Sequence, residues 1–270
     1  MDPKIIKLLE QMLVNDQQLP ILSLIDDKKE LTAHFIARTS GIVSGIDVVK
    51  TLFNHINPKI KFIILKDNGM AVNRGTVIAY LSGKMKDIMR GKSLALALLQ
   101  TMSGIASLTN KYVREIHSLE CDICDFCESS LLPLSLAHRA IIDGGGKIIM
   151  NEGFIINDYH IHTFGNIKKA INLIMANNPK SHPVTILVSN QSEFLESKDS
   201  SCDNIILHKM SFEQIKNLSI QSYRQLLGIK VNSSLGKVRT YALTGVRYIV
   251  IDIINMAKML DIDLVYTKIA

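Results

Sequence analysis

The sequence predicts an α/β protein in two parts, a small α+β layer followed by a β/α barrel. Three observations carry that expectation. Strand-like runs at 30–39, 59–68 and 76–83 accompany one amphipathic helix at 45–56. From residue 121 onward, short apolar runs alternate with helical segments, a pattern that implies parallel pairing through right-handed crossovers. A chain of 270 residues with 47% apolar content can bury a sizeable core, in one large domain or two smaller ones.

The elements follow in order. "MDPKIIKLLEQMLVND" begins with Asp2 as a helix cap and Pro3 in the first turn, and Ile5, Leu8, Leu9, Met12 and Leu13 form one stripe. It reads as a docking or core helix rather than a signal peptide. "ELTAHFIART", "KIKFIILKDN" and "TVIAYLSG" read as strands, with Gly69, Gly75 and Gly83 punctuating turns. Between the first two, "GIDVVKTLFNHI" turns Val48, Val49, Leu52, Phe53 and Ile56 inward. A long helical stretch follows at 93–119, broken or softened at Ser103–Gly104. "DICDF", "GFIIND", "VTILVSN", "NIILHK", "LLGIKVN" and "YIVIDI" then read as strands between helices such as "NIKKAINLIMANN", "FEQIKNLSIQS" and "LGKVRTYALTG". About six such units suggest a β/α barrel, full or reduced. A doubly wound open sheet is the structural alternative, although the chain has no G-x-G-x-x-G and no P-loop.

In either architecture ligands sit at the carboxyl ends of the strands. Those ends are Cys127–Glu128, Asn157–Asp158, Ser189–Asn190, His208–Lys209, Asn232 to Ser234, and Asp252 onward.

Composition narrows the function classes. No run approaches the ~18 apolar residues of a membrane span. Four cysteines without an export signal imply free thiols in a reducing cytoplasm. The net charge of +6 suits anionic ligands but is spread along the chain. Its densest basic stretch, "GKMKDIMRGK", has no interleaved aromatics, so it reads as solvated surface and not as a nucleic-acid site. "CDICDFCESS" spaces Cys121, Cys124 and Cys127 like iron–sulfur ligands, but a strand period of two points Cys124 away from the other two. A strand is the expected reading, with no bound metal.

Several stretches together resemble the quinolinate phosphoribosyltransferase family, the carboxylating nicotinate-nucleotide pyrophosphorylases. "LALALLQTMSGIASLTNKYV" is similar to the family's A-L-N-x-L-Q-x-x-S-G-I-A-T-x-T, and "FIARTSGIVSG" to its A-R-x-x-G-x-x-x-G. "DNGMAVNRGTVIAYLSG" is similar to D-G-x-x-V-x-x-G-x-x-x-x-x-x-G. The eighteen residues between Cys124–Asp125 and Gly144–Gly146 keep the family's distance from its D-T-R-K-T strand to its glycine triplet. "INDYHI", "YALTGVRYIVI" and "LDIDL" are similar to I-K-D-N-H-I, Y-A-x-T-G-V-D-x-I-S-V and L-D-I-S-L. The resemblance runs through nearly the whole chain. It implies an N-terminal α/β sandwich domain at 1–105, with 255–270 packing back on it, and a C-terminal β/α barrel at 106–254. It also implies a cytoplasmic homodimer whose sites are each completed by a neighbouring subunit. The implied reaction joins quinolinate to phosphoribosyl pyrophosphate, with magnesium, in NAD synthesis; no tightly bound cofactor is implied.

A pocket holding a dicarboxylate beside a phosphoribosyl pyrophosphate needs a dense set of Arg and Lys. Laid on the family's motifs, the pocket positions are mostly substituted. Cys127 and Glu128 stand for the Arg and Lys after the strand Asp, and Asn157 for the Lys of K-D-N. Thr185, Leu187 and Ser189 stand for the alternating glutamates of E-V-E-V-E, while His208–Lys209 stands for D-N. Ser233–Ser234 replaces a glycine pair, Asp252 a glycine, and Ser93 the arginine offered to the neighbouring subunit. His160 keeps the family's histidine. Lys147, Lys209, Lys230 and His160 are candidates for a substitute cationic set. A degenerate active site is therefore expected, and no catalytic residue is assigned. Two other classes follow: a non-catalytic homologue serving as partner subunit or binding protein, and a metal-binding barrel using His160, His162 or the cysteines. The glycine triplet reads as a turn rather than a phosphate cradle, and Asp261 and Asp263 as surface carboxylates rather than a metal pair.

Overall fold

The protein is described from a computed structural model, which covers residues 3–16, 22, 24–126, 130, 132–149, 153–198, 200–221, 227–231 and 234–269. The chain divides into two compact units. The first comprises Met1–Asn110, Ser130–Gly145 and Met256–Ala270, and the second Lys111–Ser129 and Gly146–Asn255.

The first unit begins with α1 (Pro3–Asp16), β1 (Glu30–Ala37), β2 (Gly41–Ile42) and α2 (Ile46–Ile56). It continues through β3 (Lys61–Ile64), β4 (Ala71–Val72), β5 (Val77–Lys84), most of α3 (Met85–Glu115), and α4 (Leu134–Asp143). The closing strand, Ile262–Ile269, pairs antiparallel with β1, which pairs with β5 and then β3. Alternation along β1 buries Leu31, Ala33, Phe35 and Ala37 on one face. Phe35 meets Phe53 of α2 and Phe62 of β3 at centroid distances of 6.5 and 6.2 Å, so the helix covers the sheet's apolar face. Burial of side chains of that size stabilises by about 1.5–3 kcal/mol each. The start of α2 is capped from a distance: Asn68 Oδ1 accepts from the N–H groups of Gly45 and Ile46 at 2.8 and 3.1 Å. This satisfies donors that a helix start leaves open.

The predicted break in the long helix is absent. α3 is continuous from Met85 to Glu115, starts eight residues before the expected 93, and takes in the basic stretch "MKDIMRGK". Gly104 serves packing instead. A Cβ there would lie 2.2 Å from the carbonyl oxygen of Lys258, so the absent side chain admits a neighbouring backbone. The hydroxyl of Ser103 accepts from the Ser44 N–H at 3.0 Å.

The second unit holds β6 (Asp122–Asp125), β7 (Lys147–Ile148), β8 (Phe154–Ile156), β9 (Val184–Val188), β10 (Asn204–Leu207), β11 (Leu227–Lys230) and β12 (Tyr248–Val250). Helices α5 (Asp158–Phe164), α6 (Ile167–Ala176), α7 (Gln191–Lys198), α8 (Phe212–Gln221), α9 (Leu235–Ala242) and α10 (Ile253–Met256) follow in the same order along the chain. All seven strands are parallel, in the order β7-β6-β12-β11-β10-β9-β8. Read cyclically, that order is the chain order, with one seam between β7 and β8 that carries no pairing among the described residues. This is a parallel half-barrel, the reduced form of the expected barrel. A doubly wound sheet would reverse its order part-way, and this one does not. The two-residue β7 falls outside every strand read from the sequence.

The interior of the half-barrel is apolar. Cys124, Leu187, Ile206 and Val250 form its buried cluster, with Phe126, Ile149, Ile155 and Tyr248 packed against them. Cys124 is thus core, and burial pushes its thiol well above the usual cysteine range. Cys121 and Cys202 are also buried; Cys127 lies outside the described residues.

Candidate functional site

Strand ends and the following residues gather at the carboxyl edge of the half-barrel, where a cavity of about 620 Å³ opens. Asn157 and Asp158 come from the β8–α5 junction, and Leu187 from β9. His208 and Lys209 follow β10; Lys230 ends β11, and Ser234 precedes α9. Asn157, Asp158, His208, Lys209 and Ser234 are strand-end positions expected from the sequence, whereas Leu187 comes from the family's glutamate motif and Lys230 from the candidate cations. Tyr159, Met210, Val231, Lys237 and Tyr241 complete the lining and were missed. A signal for two of them existed: Lys237 and Tyr241 are four residues apart on the helix after β11, hence on one face.

The centre of the site is a three-residue cluster. Asp158 accepts from Lys209 Nζ at 2.6 Å, and its other oxygen lies 3.2 Å from His208 Nε2. The Lys209 hydrogen bond, helped by His208, holds the Asp158 carboxyl below the usual range, and Asp158 in turn holds the Lys209 ammonium above its own. For His208, burial is the larger effect and favours the neutral ring despite the nearby carboxylate. Lys209 takes φ +55°, a left-handed conformation that costs a non-glycine residue about 1 kcal/mol or more. The Asp158 bond ties its side chain there. Lys230 Nζ lies 5.2 Å from the centre of the Phe126 ring, a cation–π distance. Tyr241 is braced edge-on by Phe212 at 5.6 Å. Lys237 is exposed and has no side-chain partner among the described residues.

The neutral His208 sets a pH dependence. In the folded state its pKa lies below the ordinary 6.5, so between the two values the unfolded chain binds the extra proton and stability falls as pH drops. Asp158 acts only at lower pH, because its depressed folded pKa keeps it ionised through pH 5. Urea unfolding at pH 7 and pH 5 should therefore show a loss of stability that is smaller in His208→Gln. Equal losses in both proteins would place a charged His208 in the folded state.

Other expected positions lie elsewhere. His160 caps α5: its Nδ1 accepts from the Asn157 N–H at 3.2 Å, while Asn157 Oδ1 accepts from the His160 N–H at 3.4 Å. The H-x-H of His160 and His162 falls on that helix, where two residues' rotation sets their side chains about 160° apart, so they do not converge. Lys147 is bound to Asp122 at 2.9 Å and does not line the cavity. Asp252 is exposed and accepts from Asn255 at 2.9 Å. Asp125 is buried and accepts from the Ile254 N–H at 3.1 Å. Gly144 and Gly145 close α4, with their N–H groups bonded to Ala140 and Ile142 carbonyls. Asp263 pairs with Arg38 at 2.9 Å. Ser93 lies on α3, exposed. Cys127, Glu128 and Ser233 lie outside the described residues.

Comparison with known proteins decides the lineage. Residues 19–103 match the family model "Quinolinate phosphoribosyl transferase, N-terminal domain", and residues 105–265 match "Quinolinate phosphoribosyl transferase, C-terminal domain". The chain belongs to the quinolinate phosphoribosyltransferase family. The probable carboxylating nicotinate-nucleotide pyrophosphorylase of Bacillus subtilis is 28% identical over 244 residues, covering 86% of this chain and 82% of the relative. That of Synechocystis is 26% identical over 225 residues, covering 80% and 76%. The fold agrees with the nicotinate-nucleotide pyrophosphorylase of Ehrlichia chaffeensis, with a TM-score of 0.89 at 25% identity over 99% of both chains. It also agrees with NadC of Streptococcus pyogenes, at a TM-score of 0.88 and 22% identity over 99% of both.

Within this quinolinate phosphoribosyltransferase half-barrel, the described residues do not fit a protein-held magnesium. No group of three or more His, Cys, Asp or Glu among them is placed to hold a metal ion. The one carboxylate among the cavity's described lining residues, Asp158, is already engaged by Lys209 and His208. No described helix is long and apolar enough to cross a membrane.

Proposed function

We propose that this chain serves pyridine-nucleotide metabolism as a quinolinate phosphoribosyltransferase homologue that binds a small pyridine carboxylate at the mouth of its half-barrel. Its phosphoribosyl transfer is far slower than a full family cation set allows. The observation that carries this reading is the convergence of Lys209, Lys230 and Lys237 on one cavity at the strand ends of a family fold. Three lysines against one carboxylate suit a small anion. They do not suit a dicarboxylate together with a sugar bearing a phosphate and a pyrophosphate, a load that calls for several bidentate arginines. Magnesium would arrive with the pyrophosphate substrate and not on protein carboxylates. Homodimerisation and a cytoplasmic setting belong to the same reading.

Calorimetric titration tests it. Heat is expected with nicotinate or quinolinate, lost in Lys237→Gln, and none with phosphoribosyl pyrophosphate and magnesium. Tight binding of the pyrophosphate substrate would mean an intact pocket, and no heat with any of them would remove the cavity as a ligand site.

A second reading, a non-catalytic partner of an intact family member, is favoured by one observation: Leu187, at a glutamate position of the family motif, belongs to the buried apolar cluster. Mixing with such a family member should then give a heteromer by light scattering.

A further inference from the structure

His208 makes the charge of the cavity depend on protons, and this inference rests on the small-anion reading above. The family motif has an aspartate at this position, a group that stays charged through the neutral pH range. Histidine is instead the side chain whose charge ordinarily changes between pH 5 and 8. His208 lines the cavity with Lys209, Lys230 and Lys237, and its side chain is 11% exposed. Its Nε2 lies 3.2 Å from Asp158 Oδ1. An ionised carboxylate only accepts, so Nε2 carries the ring's hydrogen and a second proton goes to Nδ1.

The groups around the ring set its balance. Burial opposes the imidazolium most, and Lys209 after β10 and Lys230 of β11 add to it. Asp158, at the start of α5, favours the imidazolium but does not prevail, so the ring is neutral at pH 7. Tyr159 of α5 and Lys237 and Tyr241 of α9 share the lining. Glu193 of α7 spends its carboxylate on Ser189, accepting from the N–H at 2.7 Å and the hydroxyl at 2.9 Å. An anion seated among the lysines tips this balance. It offsets the field of Lys209 and Lys230 and attracts a charged ring itself. Linkage then requires that binding take up a proton, and that affinity rise as pH falls. The coupling follows from the ligand's negative charge and not from the number of its carboxylates.

We propose that His208 is a conditional fourth cation of the cavity: anion binding draws a proton from solvent onto His208 Nδ1, and Asp158 positions the ring to receive it.

Calorimetric titration of the full chain with quinolinate and with nicotinate tests it, between pH 6 and pH 8 in buffers of different ionisation enthalpy. Both acids keep their carboxylates ionised over this range, so the ligand supplies no proton. The dependence of the heat on the buffer gives the protons taken up. About 0.3–1 proton per bound anion is expected near pH 6.5, with binding about three- to tenfold tighter at pH 6 than at pH 8. Both effects should vanish in His208→Gln. Asp158→Asn removes the carboxylate that favours the imidazolium, so the uptake should move to lower pH. Binding with no proton uptake and no pH dependence would overturn the inference while leaving the small-anion reading in place. Uptake that persists in His208→Gln would also overturn it, by placing the proton on another group. Absence of binding by both acids would overturn inference and reading together. If neither variant folds by its thermal transition, the uptake and pH dependence of the unaltered protein decide alone.

Discussion

Leu187→Glu, which restores a residue type that the family motif carries at this position, is expected to destabilise the protein by about 2–4 kcal/mol at pH 8. Leu187 is 4% exposed and packs with Cys124, Ile206 and Val250, none of which can hydrogen-bond a carboxylate well. A carboxyl placed there has its pKa raised by burial, so the folded state binds the proton. The penalty is then smallest near pH 4, below the unfolded value, and grows as pH rises toward the folded one. Leu187→Met, which nearly conserves volume, should cost under about 1.5 kcal/mol. Thermal unfolding across this pH range checks both. A Leu187→Glu protein as stable as the parent at pH 8 would mean that the lysines reach the position and that the family's glutamate is tolerated. The apolar interior would then be no argument against family chemistry.

Much of the fold was legible because periodicity is a local property. β1 alternates as "ELTAHFIA" requires, α2 buries the stripe read at Val48, Val49, Leu52 and Phe53, and six of the seven half-barrel strands fall on the expected apolar runs. The exceptions are non-local. Gly104 looks like a helix breaker in one dimension, but its reason lies at Lys258, over 150 residues away in the chain. β7 is two residues long and forms only because β6 offers an edge to pair with.

For the candidate site, the strand-end rule found Asn157, Asp158, His208, Lys209 and Ser234, since topology alone fixes where strands end, and the family motif found Leu187. It could not find which cations remain available. Lys147 and Lys209 read alike in sequence, yet Asp122 takes one away from the cavity and Asp158 pins the other inside it. Lys237 was overlooked because it sits in the helix after the strand rather than at the strand's end. His160, a family pocket position whose place after a strand suits a helix-entry histidine better than a metal ligand, spends its imidazole on the helix cap.

The second large effect is on turnover. The family motif places Arg and Lys where this chain has Cys127 and Glu128, a Lys at Asn157, a carboxylate at His208 and a neighbouring-subunit Arg at Ser93. Loss of a single charged contact to a developing transition-state charge costs about 10²–10³ in rate, and combined losses are not additive but do not fall below the largest of them. The three lysines of the described lining, Lys209, Lys230 and Lys237, stand beside Asp158 and fall short of the several anionic groups carried by phosphoribosyl pyrophosphate and quinolinate.

The direct measurement is nicotinate mononucleotide formation from quinolinate and phosphoribosyl pyrophosphate with magnesium, run beside an intact member of the family under the same conditions. A rate at least about 10³-fold below that enzyme, from a folded protein that still gives heat with nicotinate, is the expected result. A rate within about tenfold of it would contradict the account, because it would require cations from outside the described cavity to rebuild a working quinolinate phosphoribosyltransferase site.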